Sequence, residues 1–488
     1  MLARVGRDSL ARNSVLIMAS TVGTSGLGYL YWMVAARELP RPAIGTATAL
    51  ISAATVVSMV ANLGLGHMFI QRLPGAPAAA WSRIVGAGLL LGCAATAAAA
   101  VAAVLVLPRI ERNFGFLNGP VAAAGLVATA VALTASMLLD YVFVAHRASQ
   151  GMLWRNLALA VGKVVTLLGL TASGLTAGRL SGSAAVVLAW TVPSLAVTVV
   201  TLRWSLSRLR PGYRLGGALA GAGLAGELAH VRGSLTGHHL VNLAQAGPSA
   251  LLPVLVTARL GAADNAHFYM AWMTASVLFM VSPAVAAALY AERTNAAGRS
   301  ASLPRASLVT LAVIGLPAAA LFLFGGRILA LFSPGYAAGG GPLLKLLVLA
   351  ALPDAITNLA VAHWRSQHRL RRCLRLNLLM AAACLTLTWL WLPSRGIEAA
   401  GFAWLAGQSA GALMVAVLAL LGRLGPLRRD AAPAGAALVR RLAPPHPRGA
   451  DRRPLLHPVM RGRPAARLGH RTRPAPHARP RSRSWRVP

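Results

Sequence analysis

The sequence predicts an all-α polytopic membrane protein with about twelve transmembrane helices, and three observations carry that prediction. Of the 488 residues, 56% are hydrophobic and only 12% charged, half the roughly 25% charged residues of a typical soluble domain. Apolar runs longer than about 18 residues recur along the chain, enough to cross a bilayer as helix. The 47 basic residues, set against 11 acidic ones for a formal charge of +36, fall mostly in short clusters between those runs. A charge of that size alone would fit a nucleic-acid binder. Its division among apolar runs excludes nucleic acid as the partner, and the runs exclude a soluble enzyme. Helix is the economical way to satisfy backbone groups in lipid, and alternating strand patterns are absent.

The spans follow in order. Residues 14–36 are too long, and too closely followed by another apolar run, to be a cleaved leader, so they form the first helix. The next three are 42–66, 84–107 and 119–145, the last carrying Asp140. Span 152–173 carries Lys163, and 182–202 carries Trp190. The second set begins with 234–257, which holds Pro248 and Pro253, residues that break a helical ladder and permit bending. It continues through 266–290, 306–324, 343–363 with Asp354, 374–393, and 397–421 with Trp404. Cys93, Cys373 and Cys384 lie within or beside apolar runs without CxxC spacing, so neither a disulfide framework nor a zinc site is implied.

The orientation follows from the arginines. With the N-terminus inside, the inner segments through residue 375 hold 20 arginines and the outer loops 8, which places both termini in the cytoplasm.

Three short matches recur in the same order and indicate an internal repeat. Val34-Ala-Ala-Arg37 returns as Val256-Thr-Ala-Arg259. Val144-Ala-His146-x-x-Ser149-Gln150 returns as Val361-Ala-His363-x-x-Ser366-Gln367, and Ala189-Trp190 as Ala403-Trp404. Six spans per half is an even number, so both halves enter the membrane in the same sense, related by a pseudo-two-fold axis along the membrane normal. The expected organisation is a six-helix lobe over 1–202, a cytoplasmic basic linker over 203–233, a second six-helix lobe over 234–422, and an Arg/Pro-rich tail over 423–488. The tail has 17 arginines and 12 of the 29 prolines. That composition predicts disorder, with anionic inner-leaflet lipid as its partner.

Four segments together resemble a known family. They are Asn13-Ser14 through Gly26-x-Gly28 and Tyr31-Trp32 to Ala35-Ala-Arg37-Glu-Leu-Pro40; Asp140-Tyr-Val-Phe-Val-x-x-Arg147 with Arg155-Asn156 and Lys163; Leu252-Pro-Val-Leu-Val256 with Arg259-Leu-Gly261, Phe268-Tyr269 and Leu289-Tyr-Ala-Glu292; and Phe332-Ser-Pro-Gly-Tyr336 through Pro353 to Arg365-x-Gln367. Over residues 10–420 the chain resembles the polysaccharide (O-antigen-type) flippase branch of the superfamily that also holds MATE multidrug exporters and lipid II flippases. The resemblance implies two six-helix lobes around a central cavity. It implies alternating-access export of a polyprenyl-pyrophosphate-linked oligosaccharide across the cytoplasmic membrane, for surface polysaccharide assembly, with a polysaccharide polymerase as an expected neighbour. Many relatives have fourteen spans, and this chain departs from them with twelve and a basic tail.

An anionic diphosphate needs fixed positive charge reachable from a cavity, and ionisable residues within spans are costly enough to mark function. Lys163 lies about 16 Å along its helix, near the bilayer centre, with Asn156 seven residues earlier on the same face. It is the leading candidate for pyrophosphate binding or proton coupling, against a structural pairing with Asp140. Asp140 and Asp354 come from corresponding helices and are candidates for a proton or sodium gradient; no cofactor is expected. Asn242 and Gln245 offer amides to sugar hydroxyls, and Arg147, Arg155, Arg365 and Arg372 line an inner mouth. Arg37 and Arg259 close the outer ends of their helices as an outer gate, with snorkelling to head groups the blander reading. Tyr29, Tyr31 and Trp32 fit an outer aromatic belt. His238-His239 lacks further ligands at metal spacing, so no metal is expected.

A MATE-like exporter of small cations is less favoured, because such substrates need carboxylates and the spans hold more bases than acids. A membrane glycosyltransferase or polymerase is less favoured again, because the outer loops are short and their acids (Glu38, Glu111, Asp264, Glu398) isolated. Transport rather than catalysis is the expectation.

Overall fold

The computed structural model describes residues 9–177, 180–213, 239–295, 303–367 and 369–422. The expected tail, 423–488, and most of the linker, 214–233, lie outside the described residues. No strand occurs among the described residues, and the described part of each of the twelve expected spans is helical, that of 42–66 in two helices. The first half comprises α1 (Ser9–Glu38), α2 (Arg41–Ala61), the short α3 (Leu65–Arg72), α4 (Ala78–Ile110), α5 (Pro120–Ala145), α6 (Ser149–Ala172) and α7 (Gly182–Val200). A π turn at Thr201–Ser205 carries α7 into α8 (Leu206–Leu209). The second half comprises α9 (Leu240–Leu260), α10 (Ala262–Asn295), α11 (Leu303–Ala330), α12 (Pro334–Ser366), α13 (Leu370–Arg395) and α14 (Glu398–Leu420). Among the described residues, ten helices are long and apolar enough to cross a membrane.

One boundary differs from the sequence expectation. The single span 42–66 divides, because Leu63 and Gly64 adopt φ of 52° and 72°. That left-handed backbone cannot continue a right-handed helix. The chain turns there and restarts as α3, so α2 ends at Ala61 and Asn62 caps it, its N–H bonded to the Ser58 carbonyl at 3.0 Å.

Five helix pairings of the first half have counterparts in the second. α1 packs on α6 as α9 does on α13, and α2 on α5 as α10 on α12. The pairs α4–α5, α5–α7 and α6–α7 correspond to α11–α12, α12–α14 and α13–α14. Contact between the halves runs chiefly through α2, which packs against both α9 and α10.

Lipid tails are as apolar as leucine, so helices in a membrane associate through close packing and interhelical hydrogen bonds. α2 shows both. Its buried face is made largely of small residues, among them Gly45, Ala47, Thr48, Ala49, Ser52 and Ala53. Ser58 accepts a hydrogen bond from Thr134 of α5, which also bonds Thr96 of α4, each at 2.8 Å.

The apolar core is continuous across both halves around Trp32, Leu50, Phe268, Leu343 and Ala399. Toward the ends where α5 meets α6 and α12 meets α13 it separates into two clusters. One surrounds Phe69, Trp81 and Leu139 in the first half; the other surrounds Val241, Trp364 and Leu376 in the second. The halves are therefore joined at one end and parted at the other.

Candidate functional site

The parted end holds a cleft of about 300 Å³ between the halves. Its polar lining is Asn62, His67, Tyr141, His239, Asn242 and Gln245. Asn62 and His67 reach it because the chain turns at Leu63–Gly64; Asn242 and Gln245 reach it from the first turns of α9.

The opposite end is closed by side chains of one half bonding the backbone of the other. Arg37 donates from Nε and Nη2 to the Leu331 carbonyl at 3.0 and 2.8 Å. Asn113 donates to the Ala258 carbonyl at 2.8 Å. Buried Asn265 donates to the Gly45 carbonyl and to Thr48 Oγ1, both at 3.0 Å. Tyr29 donates to the Met273 carbonyl at 3.0 Å. The helices touch so closely here that a Cβ on Gly45 would lie 1.6 Å from the Ala262 carbonyl oxygen.

Behind the cleft wall the second half carries a polar network. Arg365 Nη2 donates to Asn242 Oδ1 and to Gln245 Oε1, both at 2.9 Å. Gln245 Nε2 donates to Asn358 Oδ1 at 3.3 Å, and Asn358 Nδ2 to Asp354 Oδ2 at 2.9 Å. Thr357 links the same turn to Gln408 of α14 at 3.1 Å. Four expected site residues, Asn242, Gln245, Asp354 and Arg365, are thus brought together. Asn358 and Gln408 complete the group and escaped the sequence reading, since a single amide in an apolar helix carries no spacing signal.

In the first half Asp140 meets Arg155, not Lys163. The Arg155 Nη1–Asp140 Oδ1 distance is 2.5 Å. The same guanidinium donates to Asn156 Oδ1 at 3.1 Å and to the Ser136 hydroxyl at 2.6 Å. Arg155 is only 6% exposed, which corrects its expected place at an open inner mouth: at the second turn of α6 it points into α5 and finds its anion there. Asn156 likewise belongs to this network rather than to Lys163. Asp140 stands between Met137 and Tyr141 on α5, both of which line the cleft, so the ion pair borders it.

Lys163 places its ammonium 3.3 Å from the centroid of the Trp190 ring. Trp190 packs on Tyr31 and Trp32 of α1, at 5.6 and 6.0 Å between centroids, and Trp32 on Tyr269 of α10 at 4.9 Å. The outer aromatic belt expected for Tyr31 and Trp32 is corrected by this packing. The two are 1% and 2% exposed, because α1 turns that face toward α7 and α10, and Tyr31 donates to the Val186 carbonyl at 2.8 Å.

The remaining expected residues are dispersed. Arg259 lies 4.4 Å from the Trp389 ring centroid at the closed end, apart from the Arg37 contact. Arg147 is exposed with φ of 54° beyond α5. Its neighbour His146 accepts from Trp81 Nε1 at 2.7 Å, and burial and the Arg210 charge hold the His146 imidazole below its ordinary range. Of His238-His239, the first lies outside the described residues and the second lines the cleft.

No protein-family model matches the chain, and no curated protein matches it in sequence. Its fold has solved relatives. The lipid II flippase MurJ in an inward closed conformation superimposes with a TM-score of 0.63 at 11% identity, over 83% of this chain and 87% of that one. An inward-facing multidrug resistance MATE family transporter of the MOP superfamily gives 0.53 at 16%, over 86% and 96%. A MATE crystallised with MaL6 gives 0.52 at 12%, over 85% and 96%. The chain therefore has the multi-helix membrane fold of these transporters.

Proposed function

We infer that this protein is a transporter that flips a polyprenyl-pyrophosphate-linked oligosaccharide across the cytoplasmic membrane by alternating access, for surface polysaccharide assembly. The observation that carries this reading is the Arg365 guanidinium bonded to Asn242 and Gln245 in the cleft wall. A permanent cation held by two neutral amides exchanges them readily for phosphate oxygens, which make shorter and stronger charge-assisted bonds, while amides suit sugar hydroxyls.

The wider setting agrees. The cleft lies at the end where the arginine-rich connections fall, which the positive-inside rule assigns to the cytoplasm. The substrate is made on that face, so a cleft open there is poised to load. One of the fold relatives is itself a flippase of a lipid-linked substrate. In this reading the lobes are 1–202 and 234–422 and both termini are cytoplasmic.

A second reading, a MATE-like exporter of small molecules, is favoured by the two MATE neighbours. One measurement separates them: mass spectrometry of extracted polyprenyl-pyrophosphate glycans in a strain lacking the gene. Accumulation of a complete repeat unit is the expected result and names the glycan. An unchanged pool, in a strain with no second flippase, turns the reading to the exporter.

A further inference from the structure

Asp354 and Arg365 are eleven positions apart on α12, too far to touch, yet one chain of hydrogen bonds joins them. It runs from Arg365 Nη2 to Gln245 Oε1, from Gln245 Nε2 to Asn358 Oδ1, and from Asn358 Nδ2 to Asp354 Oδ2. The ends dictate its direction. A guanidinium has donors only, so Gln245 must present its oxygen to Arg365 and its amino group to Asn358. Asn358 in turn has its oxygen occupied and gives its amino group to the carboxylate. Every link points the same way, and Gln245, the one member on α9, both lines the cleft and bridges two points on α12. Arg365 Nε is buried and makes no hydrogen bond among the described residues, so the guanidinium retains unused donor capacity.

We propose that Gln245 couples the two ends: an anion taken from the cleft by Arg365 promotes protonation of Asp354. The inference rests on the cleft as an anion-binding transport site. When phosphate oxygens draw Arg365 away from Asn242 and Gln245, the Gln245 oxygen loses its donor, and rotation of the carboxamide presents that oxygen in place of the amino group to Asn358. Asn358 then turns its own amino group toward that oxygen, and the buried Asp354 carboxylate loses this donor. Losing a hydrogen bond to the charged form favours the neutral acid, so a proton is taken up. By linkage the effect is reciprocal: protonated Asp354 holds Asn358 less firmly and eases release of Arg365 to the anion.

The surroundings leave Asp354 as the group that responds. α9 from 240 to 258 and α14 from 399 to 420 carry no acid, base or histidine. Nor do α10 between His267 and Glu292 or α11 between Arg305 and Arg327. On α13 between Arg375 and Arg395 the titratable side chain is Cys384, and on α12 the titratable and charged neighbours are Lys345, His363 and Arg365; His363 meets Gln367 at 3.1 Å.

The test is calorimetric titration of the full-length purified protein in nanodiscs with inorganic pyrophosphate, in two buffers of different ionisation enthalpy, which yields the protons taken up per anion bound. Comparison among variants cancels the protonation of pyrophosphate itself. Wild type is expected to take up more protons than Asp354→Asn, by as much as one per anion bound, and Gln245→Leu to match Asp354→Asn in protons per anion bound at whatever affinity it retains. Gln245→Met, which keeps the length of the side chain but is uncharged and cannot donate to Asn358, is expected to lose the extra uptake as well and serves if the leucine variant does not fold. Wild-type proton uptake in both Gln245 variants overturns the proposal, as does uptake in Asp354→Asn equal to wild type. No pyrophosphate binding to wild type also overturns it. The flippase reading falls separately, through an unchanged lipid-linked pool.

Discussion

The Lys163 ammonium sits 3.3 Å over the Trp190 ring, and Trp190 belongs to an aromatic group that reaches Tyr269 in the other half through Trp32. A cation in this position is held by the ring quadrupole, worth about 2 kcal/mol or more when desolvated, and among the described residues no carboxylate joins it in an ion pair.

Replacing Lys163 by alanine is expected to reduce surface polysaccharide export at least tenfold, about 1.4 kcal/mol or more of lost interaction, while the protein remains folded in the membrane. Quantifying cell-surface glycan against membrane abundance of the variant checks this. Export at the wild-type level would remove Lys163 from the site.

Asp140 and Arg155 make a different kind of prediction, because their pair is largely satisfied. Removing one partner strands a buried charge, which typically costs about 3–5 kcal/mol; Asp140 is one-third exposed, so about 2–3 kcal/mol is expected for Asp140→Ala. Restoring a neutral pair with Asp140→Leu/Arg155→Met is expected to recover most of that loss. Melting temperatures of the single and double variants in detergent read the coupling directly. Equal destabilisation by the single and the double would show that the pair does not act as a unit.

At the closed end, Gly45 is the residue whose replacement is most sharply predicted. A Cβ there would stand 1.6 Å from the Ala262 carbonyl oxygen, and backbone cannot yield as a side chain can. Gly45→Val is expected to hold the halves apart at that end and to stop turnover. A cysteine placed at Asn113, whose side chain bonds the Ala258 carbonyl across the gap, should then react with a membrane-impermeant maleimide several-fold faster than in an otherwise unchanged chain. An unaltered labelling rate would mean that closure does not require this approach.

These sites were unequally legible in the sequence. Helix position follows from the bilayer's demand for unbroken apolar runs, so the described part of each expected span is helical. Only the break at Leu63–Gly64 went unseen, because a left-handed leucine carries no compositional mark. Residues that act along one helix were also legible: Asn242 and Gln245, and Asp354 near Arg365, stand out as polar interruptions. Pairings across helices were not. The Arg155–Asp140 contact depends on how α6 rotates against α5, and the burial of Tyr31 and Trp32 on which face α1 turns to α7. Neither rotation is encoded by hydropathy in helices apolar nearly all round.

The most accessible pH-dependent prediction lies outside the spans, where His146 follows α5. Trp81 Nε1 has only a hydrogen to offer, so the bond it makes at 2.7 Å requires His146 Nε2 to be an unprotonated acceptor. Burial and the nearby Arg210 charge both press in the same direction, lowering the affinity of His146 for a second proton. A histidine whose folded value lies below its unfolded one binds more protons when unfolded, so stability rises with pH across the window between them. The contribution is complete above the ordinary histidine value of 6.5 and is lost as pH falls below it. Trp81 also packs edge-on against Tyr213, at 5.4 Å between centroids, so the same bond ties the start of α4 to the end of α5 and to the chain beyond α8. Between pH 7.5 and 5.5 the melting temperature of the wild type is therefore expected to fall by more than that of His146→Gln, whose amide oxygen accepts from Trp81 at both pH values. Parallel melting curves for the two proteins would assign the acid sensitivity to another group.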